Sequence, residues 1–324
     1  MKKYKYVIVG GGMTGASAVQ GIRSNDPDGS IAMFSREDVE PYNRPPLTKG
    51  LWDKKDVKEI MRTVDDQDVD VYLQTNVNQV NPDEKWISAD SGEHYQYEKL
   101  LLATGGHPMH LPDSPEGVIF YRTLDDYYTV RSLVEAKKNF CVIGAGFIGS
   151  EIAAAVTKNG CKVTMIFPEV GISGLRFPED LAKFLNNYYR EKGVTVLDGC
   201  MVDSIEKQGD KYTVTYHKVD SEESEKRDFD AVIVGIGIKP NIELAKKAGL
   251  KLDDGIVVNE YLQTSAPDIF AAGDVSCFKL PAIGKRIRVE HEDNANSMGK
   301  AVGQNMSGEL KKYEHFPFFY SDLF

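Results

Sequence analysis

Val7–Gly15, VIVGGGMTG, runs from an apolar, β-branched stretch directly into spaced glycines, and residues 16–22 then have the composition of a helix. In a strand, turn and helix of this kind, Gly10 permits the tight turn and Gly12 lets the backbone approach a pyrophosphate. Gly15 lets the helix pack closely on the strand. The free N–H groups at the helix start favour negative charge. The segment therefore predicts a dinucleotide site, although one glycine motif alone is weak evidence.

A second copy of this pattern lies in the middle of the chain. Phe140–Gly149, FCVIGAGFIG, places Gly144, Gly146 and Gly149 after an apolar run and before a helix-like stretch at 150–157. Two such motifs predict two dinucleotides held against each other.

Length and composition limit the classes of function. A chain of 324 residues is long enough for about two domains. Its net charge of −10 argues against nucleic-acid binding, which needs a concentrated basic face. No apolar run approaches the roughly 20 residues of a membrane span, and the short N-terminal apolar run ends in glycines, unlike a signal peptide. We expect a reducing, cytoplasmic location.

The cysteines and histidines do not predict a metal site. No CxxC pair occurs, and His107 and His110 flank Pro108, which favours a loop. We therefore predict no bound metal, and buried, inert thiols at Cys141 and Cys161, which fall in strand-like runs. The cysteines are Cys141, Cys161, Cys200 and Cys277.

Each glycine motif is followed by a strand and then by an acidic residue about twenty positions on, where a ribose hydroxyl is bound in such units. After the strand at 30–35 the candidates are Glu37 and Asp38, with a solvated turn as the alternative. After the strand at 162–167 it is Glu169, whose carboxylate favours NAD over the 2′-phosphate of NADP.

The remaining pattern predicts further elements. Asp274 ends a short strand, where its carboxylate would face the carboxyl edge of a sheet; a structural turn is the alternative. The predicted elements are an antiparallel excursion at 69–97, buried strands at 99–105 and 231–238, a helix at 177–191, strands over 194–216 with a charged hairpin tip at 220–227, short strands at 255–258 and 268–274, and a helix from 293.

Two basic segments are candidates for anion or partner binding. The stretch 40–52, EPYNRPPLTKGLW, is stiffened by two prolines and carries Arg44 and Lys49 as fixed cations beside a phosphate or a reducible ring. A plain proline-rich connection explains it as well. Lys285, Arg286 and Arg288 form the clearest basic run, which is either a docking patch or a solvated face.

Eight segments in sequence order carry a family likeness: VIVGGGMTG, EPYNRPPLTK, LLATGG, FCVIGAGFIGSE, AVIVGIGIKPN, IFAAGDV, RVEHEDNA and FFYSDLF. Together they resemble the FAD-dependent pyridine nucleotide oxidoreductases of the ferredoxin and rubredoxin reductase type, and look most like the apoptosis-inducing factor branch. The likeness covers nearly the whole chain.

The resemblance implies an α/β fold of two Rossmann-like three-layer dinucleotide-binding domains, similar to glutathione reductase. The FAD domain would be discontinuous, formed by residues 1–115 and 241–317. Residues 116–240 would form the NAD(P)H domain. Residues 318–324 would begin a C-terminal interface domain that is otherwise absent from this chain.

The resemblance also assigns roles to residues. Lys49 would stand near flavin N5, paired with Glu151 as the catalytic pair, with a purely structural ion pair as the alternative. Arg44 would bind the adenine or phosphate end of FAD, Asp274 the ribityl chain, and Tyr320 would be an aromatic neighbour. The cofactor-binding set is Gly10, Gly12, Gly15, Glu37, Arg44, Lys49, Thr104, Gly105, Gly144, Gly146, Gly149, Glu169, Gly237, Gly273, Asp274, Glu290 and His291.

The implied function is hydride transfer from NADH, with NADPH less favoured, to flavin N5, and then electron transfer to a ferredoxin- or rubredoxin-like protein. Lys285, Arg286 and Arg288 would dock that acceptor, and homodimer formation stays open. The alternative is a redox-responsive NADH/FAD-binding protein with slow turnover. A membrane quinone reductase is less favoured, since no amphipathic anchor is visible. Asn43 and Arg44 stand where disulfide reductases carry a cysteine, so disulfide chemistry is not expected.

Overall fold

A computed structural model describes residues 1–64, 67–308 and 310–324, and the chain divides into two compact units. The first unit comprises 1–44, 57–107 and 240–319. The second comprises 45–56, 108–239 and 320–324. The first unit is therefore interrupted in sequence by the second, and residues 45–56 belong to the second.

The strands and helices are as follows in chain order. The strands up to residue 120 are β1 (Lys2–Val9), β2 (Ile31–Phe34), β3 (Val69–Tyr72), β4 (Val77–Asn81), β5 (Trp86–Ala89), β6 (His94–Leu102), β7 (Gly106–Pro108) and β8 (Ile119–Phe120). The next are β9 (Asn139–Ile143), β10 (Lys162–Phe167), β11 (Thr195–Asp198), β12 (Cys200–Gln208), β13 (Lys211–Lys218), β14 (Ser224–Phe229), β15 (Ala231–Val234) and β16 (Ile238–Pro240). The last are β17 (Leu252–Asp253), β18 (Gly255–Val257), β19 (Ile269–Ala271), β20 (Ser276–Leu280) and β21 (Lys285–Ile287). The α-helices are α1 (Met13–Arg23), α2 (Leu124–Glu135), α3 (Phe147–Lys158), α4 (Glu179–Glu191), α5 (Glu243–Lys247) and α6 (Glu292–Ser307). Short 3₁₀ helices occupy Pro45–Thr48, Gly50–Asp53, Val57–Ile60 and Gly273–Val275.

The first unit is built on a parallel sheet in the order β3-β2-β1-β6, with β19 on the other side of the carboxyl half of β6. The amino half of β6 continues into the antiparallel hairpin β4–β5. The central strands are apolar on both faces because the sheet is covered on both sides. A further small sheet of β17, β18, β20 and β21 completes the unit.

The strand register brings the candidate residues of this unit to one edge. Val9 is level with Phe34 and with Leu102, and Leu102 is level with Ala271. Parallel strands that end level place the residues that follow at the same edge of the sheet. The segments after these strands carry the first glycine motif, Glu37, Thr104 with Gly105, and Gly273 with Asp274. This convergence is the geometry of an α/β ligand site.

The second unit repeats the plan with a fully parallel sheet in the order β11-β10-β9-β15-β8. Ile143 is level with Ile166 and with Val234, so the second glycine motif and Glu169 follow at one edge. An antiparallel sheet, β12-β13-β14, packs its apolar side chains into the same core.

The predicted fold class is confirmed, with three local corrections. The predicted antiparallel excursion begins only at Val77, because Val69–Tyr72 pairs parallel with β2. The predicted hairpin tip at 220–227 is partly wrong, since Ser224–Phe229 is a strand paired with β13. Helix α2 was not predicted; its start is fixed by a capping box in which Thr123 and Asp126 bond each other's backbone amide.

Candidate dinucleotide and redox sites

The first glycine motif has the geometry that phosphate binding requires. Gly10 has φ of +130°, and a Cβ there would lie under 3.0 Å from the carbonyl oxygen of Ala103. A Cβ on Gly15 would meet the Gly10 carbonyl oxygen equally closely. By contrast, no described atom lies within 4 Å of a Cβ on Gly12, the N-cap of α1, and within the described ranges no side chain caps this helix. The α1 amides are therefore open toward an anion.

The second motif reproduces this arrangement in the other unit. Gly144 has φ of +99°, and its Cβ would lie 2.6 Å from the Gly235 carbonyl oxygen, while Gly149 packs against the Gly144 carbonyl oxygen. At Gly146, the N-cap of α3, the nearest described atom would be 4.0 Å from a Cβ, and the part of the chain that is described supplies no side-chain cap. The two motifs thus form two equivalent anion cradles, each at the edge of its own sheet.

Glu37 and Arg44 form one polar cluster in the first unit. Arg44 is paired with Glu37, and the Tyr42 hydroxyl donates to Glu37 Oε2 at 2.6 Å. Burial would lower the pKa of Arg44, but the charges of Tyr42, Glu37 and Asp274 raise it overall. Arg44 therefore provides a permanent positive charge in the neighbourhood of Asp274.

Thr104 and Gly105 are held by Asn241. The Asn241 side-chain nitrogen donates to the Thr104 carbonyl oxygen at 2.7 Å, and the Thr104 hydroxyl donates to the Asn241 carbonyl oxygen at 2.8 Å. The Asn241 amide bonds the Gly105 carbonyl oxygen at 2.9 Å, and its side-chain oxygen lies 2.7 Å from His107 Nδ1. This network fixes the loop after β6.

Glu169 follows β10 and is half-buried. Its Oε2 is buried and has no hydrogen-bond partner among the residues described. A buried carboxylate oxygen in that state is unfavourable unless a ligand satisfies it. The Glu169 position is therefore prepared for a hydroxyl donor such as a ribose.

Lys49 and Glu151 form a buried ion pair in the second unit, 2.7 Å from Lys49 Nζ to Glu151 Oε1. Glu151 lies on α3, and its side chain is only 4% exposed. The Thr48 hydroxyl donates to Glu151 Oε2 at 2.6 Å, and the Ser321 hydroxyl donates to Oε1 at 2.7 Å. Lys49 Nζ also lies 5.4 Å from the centroid of the Tyr320 ring. The predicted pair is thus the centre of a larger polar cluster.

Glu290 and His291 precede α6 and belong to the first unit. His291 is the N-cap of this helix, and its ring stacks on Phe319 with centroids 4.9 Å apart. Glu290 is paired with Arg288, which also lies 3.3 Å from Asp254. Arg286 donates to the carbonyl oxygens of Val258 and Cys277. In the predicted docking run, Arg286 and Arg288 are therefore engaged within the chain, and Lys285 is exposed.

The thiols give no sign of redox chemistry. Each of the four cysteines is free and buried, and burial raises the pKa of each thiol. Since the thiolate is the reactive species, these cysteines are poor nucleophiles.

No group of three or more His, Cys, Asp and Glu in the ranges that the structure covers is placed to hold a metal ion. Of the helices it describes, none is long and apolar enough to cross a bilayer.

The family model for pyridine nucleotide-disulphide oxidoreductases matches residues 4–299. The chain belongs to this family. Both glycine cradles described above lie within the matched residues.

Individual relatives extend the comparison. The chain is 33% identical over 358 residues to apoptosis-inducing factor 1, mitochondrial, of Dictyostelium discoideum, covering 100% of this chain and 66% of that protein. The chain is also 33% identical over 329 residues to putidaredoxin reductase of Pseudomonas putida, and the match covers 98% of this chain and 78% of that protein.

Solved structures agree with these relatives. A covalent putidaredoxin reductase–putidaredoxin complex contains a chain that matches with a TM-score of 0.92 and 31% identity, covering 99% of this chain and 79% of that one. A ferredoxin reductase from Rhodopseudomonas palustris matches with a TM-score of 0.90 and 29% identity, and the match covers 98% of this chain and 80% of that one.

Sequence reasoning missed several polar residues of these sites. Thr48 stands beside Lys49 in a segment already selected for its charges, and that adjacency was the available signal. Tyr42 is in the same segment. Ser321 and Asn241 had no local signal for their contacts, because their partners lie 170 and 137 positions away.

Proposed function

We propose that this family member is an FAD-dependent oxidoreductase that takes hydride from NADH and passes electrons to a small ferredoxin-type acceptor protein. The observation that carries the proposal is the pair of equivalent, uncapped glycine cradles, one in each compact unit. Two cradles suit two dinucleotides, and the family membership indicates which two.

For FAD, we assign the first unit. Gly12 and the amides of α1 would receive the pyrophosphate, since a Cβ at Gly12 would have open space and α1 has no side-chain cap in the described chain. The Arg44 guanidinium, whose pKa is raised, would stay protonated and supply a positive charge. Asp274 at the same sheet edge would bind the ribityl chain. The remaining FAD assignments are Gly10, Gly15, Glu37, Thr104, Gly105, Gly273, Glu290 and His291.

For NADH, we assign the second unit. Gly146 and α3 would hold its pyrophosphate, and the unsatisfied oxygen of Glu169 would accept a hydrogen bond from an adenosine ribose hydroxyl. NADPH is less favoured because its 2′-phosphate would meet the Glu169 carboxylate. Gly144, Gly149 and Gly237 would shape the same site.

When bound, the flavin supplies the hydride and electron chemistry, and the chain supplies position and charge. Lys49 is proposed to present its ammonium group to the flavin. Glu151 would keep that ammonium in place, because their buried contact spans 2.7 Å and Glu151 is almost inaccessible to water. Burial strengthens this electrostatic interaction.

The acceptor class follows from the relatives' names. One is a putidaredoxin reductase, and another is the ferredoxin–NAD⁺ reductase component of a 3-phenylpropionate/cinnamic acid dioxygenase from Photorhabdus laumondii, 32% identical over 329 residues. We infer a small iron–sulfur protein as the acceptor.

The proposed compartment is cytoplasmic and reducing, which suits four free cysteines.

A second candidate is a redox-responsive binding protein that turns over slowly. It is favoured by the match to apoptosis-inducing factor of Dictyostelium, at the same 33% identity as the reductase match. The turnover rate distinguishes the two candidates: the reductase would turn over fast, and the binding protein slowly.

The test is an anaerobic stopped-flow experiment on the purified, flavin-loaded protein. We expect its visible flavin bands to bleach rapidly with NADH and at least tenfold more slowly with equal NADPH, as expected for one unfavourable charge contact. Subsequent mixing with a [2Fe–2S] ferredoxin should restore the bands at catalytic rates. A protein that binds no flavin, or whose flavin NADH does not bleach, would refute the proposal. Bleaching without rapid reoxidation by any carrier would favour the switch.

A further inference from the structure

Glu151 is a buried carboxylate with more donors than its ion pair requires. Oε2 accepts from the Thr48 hydroxyl at 2.6 Å, while Oε1 accepts from both Lys49 and Ser321, each at 2.7 Å. Hydrogen bonds to a charged group are stronger than neutral ones, and a buried carboxylate that loses a donor pays a large desolvation cost. The two hydroxyls therefore fix both oxygens of Glu151.

The segment that contributes Ser321 is fastened at a second point. Phe324 packs edge-on against Tyr189, with ring centroids 4.9 Å apart, and the Tyr189 hydroxyl donates to the Ser150 carbonyl oxygen at 2.9 Å. Ser150 precedes Glu151 on α3. Residues 320–324 are thus held at Ser321 by Glu151 of α3, and at Phe324 by Tyr189 of α4, whose hydroxyl bonds the neighbouring residue of α3.

This attachment determines what covers Lys49. Tyr320 is the neighbour of Ser321, and its ring lies 5.4 Å from Lys49 Nζ, within the range of a cation–π interaction. The Lys49 side chain is only 13% exposed. Its ammonium group is held between a fixed carboxylate and an aromatic ring.

We propose that Ser321 is a positioning residue for Lys49: its hydrogen bond to Glu151 fixes the carboxylate together with Thr48 and seats Tyr320 over the Lys49 ammonium group. The proposal deepens the function proposed above and rests on it for the role of Lys49 toward the flavin. Ser321 is not proposed to touch the reacting atoms or a cofactor.

The first test measures the Lys49 amine directly and needs no turnover. Wild type, Ser321→Ala and Ser321→Thr are labelled with an amine-acylating reagent, and acylation of each lysine is followed by peptide mass spectrometry. Loss of one hydrogen bond to a charged group predicts that Ser321→Ala raises the Lys49 labelling rate roughly tenfold, while Ser321→Thr restores it. Lys158, which is paired with Asp53 in the same unit, is the internal reference and should not change.

Ser132→Ala is the matched control, because its hydroxyl donates to the Thr129 carbonyl oxygen within its own exposed helix turn. Equal Lys49 labelling in wild type and Ser321→Ala would overturn the positioning role, whatever the activity of the variants.

The second test is a double-mutant cycle on flavin bleaching by NADH. Ser321→Ala should slow bleaching roughly tenfold in wild type and have little effect in a Lys49→Met background, because it acts through Lys49. An equal effect in both backgrounds would contradict the inference. A wild-type protein whose flavin NADH does not bleach would refute the proposed function instead, and the labelling result would still stand or fall on its own.

Discussion

At the scale of single residues, the two glycine motifs separate a structural role from a binding role. Gly10 has a left-handed φ and is pressed against the carbonyl oxygen of Ala103, whereas Gly12 has an extended backbone and open space beside it. Glycine is therefore required at the two positions for different reasons. The fold requires it at Gly10, and the proposed ligand binding requires it at Gly12.

This difference predicts opposite outcomes for two alanine substitutions. Gly10→Ala should lower the free energy of unfolding by roughly 2–4 kcal/mol even without flavin, because its Cβ clashes with backbone and its φ is strained. Gly12→Ala should leave the stability of the flavin-free protein within ~0.5 kcal/mol and weaken FAD binding at least tenfold. Urea unfolding of the flavin-free proteins and a flavin fluorescence titration measure the two effects. If Gly12→Ala binds FAD normally, the pyrophosphate assignment is wrong.

At the scale of elements, the carboxylate of Asp268, the residue before β19, helps to hold this strand in the sheet. Asp268 has φ of +63° and bonds Lys85 at 2.6 Å as well as Lys99 on β6, while its carbonyl oxygen accepts from Leu100. Burial would raise the pKa of Asp268, but the hydrogen bonds from Lys85 and Lys99 lower it below the ordinary 3.8. The ion pairs thus join β19 to its neighbour in the parallel sheet.

A lowered carboxyl pKa stabilises the folded state above the ordinary pKa, and this stabilisation is lost as the pH falls through the folded-state value. Asp268→Asn, which suits the same backbone conformation, should therefore cost about 1 kcal/mol at pH 7, since the pair is partly exposed. The cost should shrink below about pH 4. Urea midpoints from pH 3 to 7 check this, with Asp83→Asn, an exposed turn residue, as control. A pH-independent cost would mean that the ion pairs contribute nothing.

How far the sequence predicts these elements depends on how local their cause is. The glycine motifs and their buried strands were predictable because turn, strand and helix signals are adjacent in the chain. The strand Ser224–Phe229 was not, because it is charged and mostly exposed, and only its pairing with β13 makes it a strand. Likewise, Lys49–Glu151 came from a family likeness, whereas Ser321 joins that pair from 170 positions away.

At the scale of the whole molecule, each dinucleotide should leave its own footprint. Saturating FAD, added to flavin-free protein, should slow amide exchange at 10–16, 35–37 and 103–105, and NAD⁺ should slow it at 144–150 and 167–171. A ligand at 100 times its Kd stabilises the bound form by ~2.7 kcal/mol, so protection up to about 100-fold is expected. Hydrogen exchange with mass spectrometry resolves these peptides. Protection of the second unit by FAD alone would reverse the assignment of the two sites.

The interruption of the first unit has a consequence for how the protein is made. β19 and α6 belong to that unit, where β19 pairs with β6 and glycines at 299 and 303 bring α6 against the backbone of α1. A ribosome delivers these partners only after all of residues 108–239. Until then, the edge of the carboxyl half of β6 and one face of α1 in the nascent first unit lack their partners, while most of the inserted unit has already emerged and can collapse. The sheet of the second unit is therefore synthesised in full before the sheet of the first, although the first unit begins the chain.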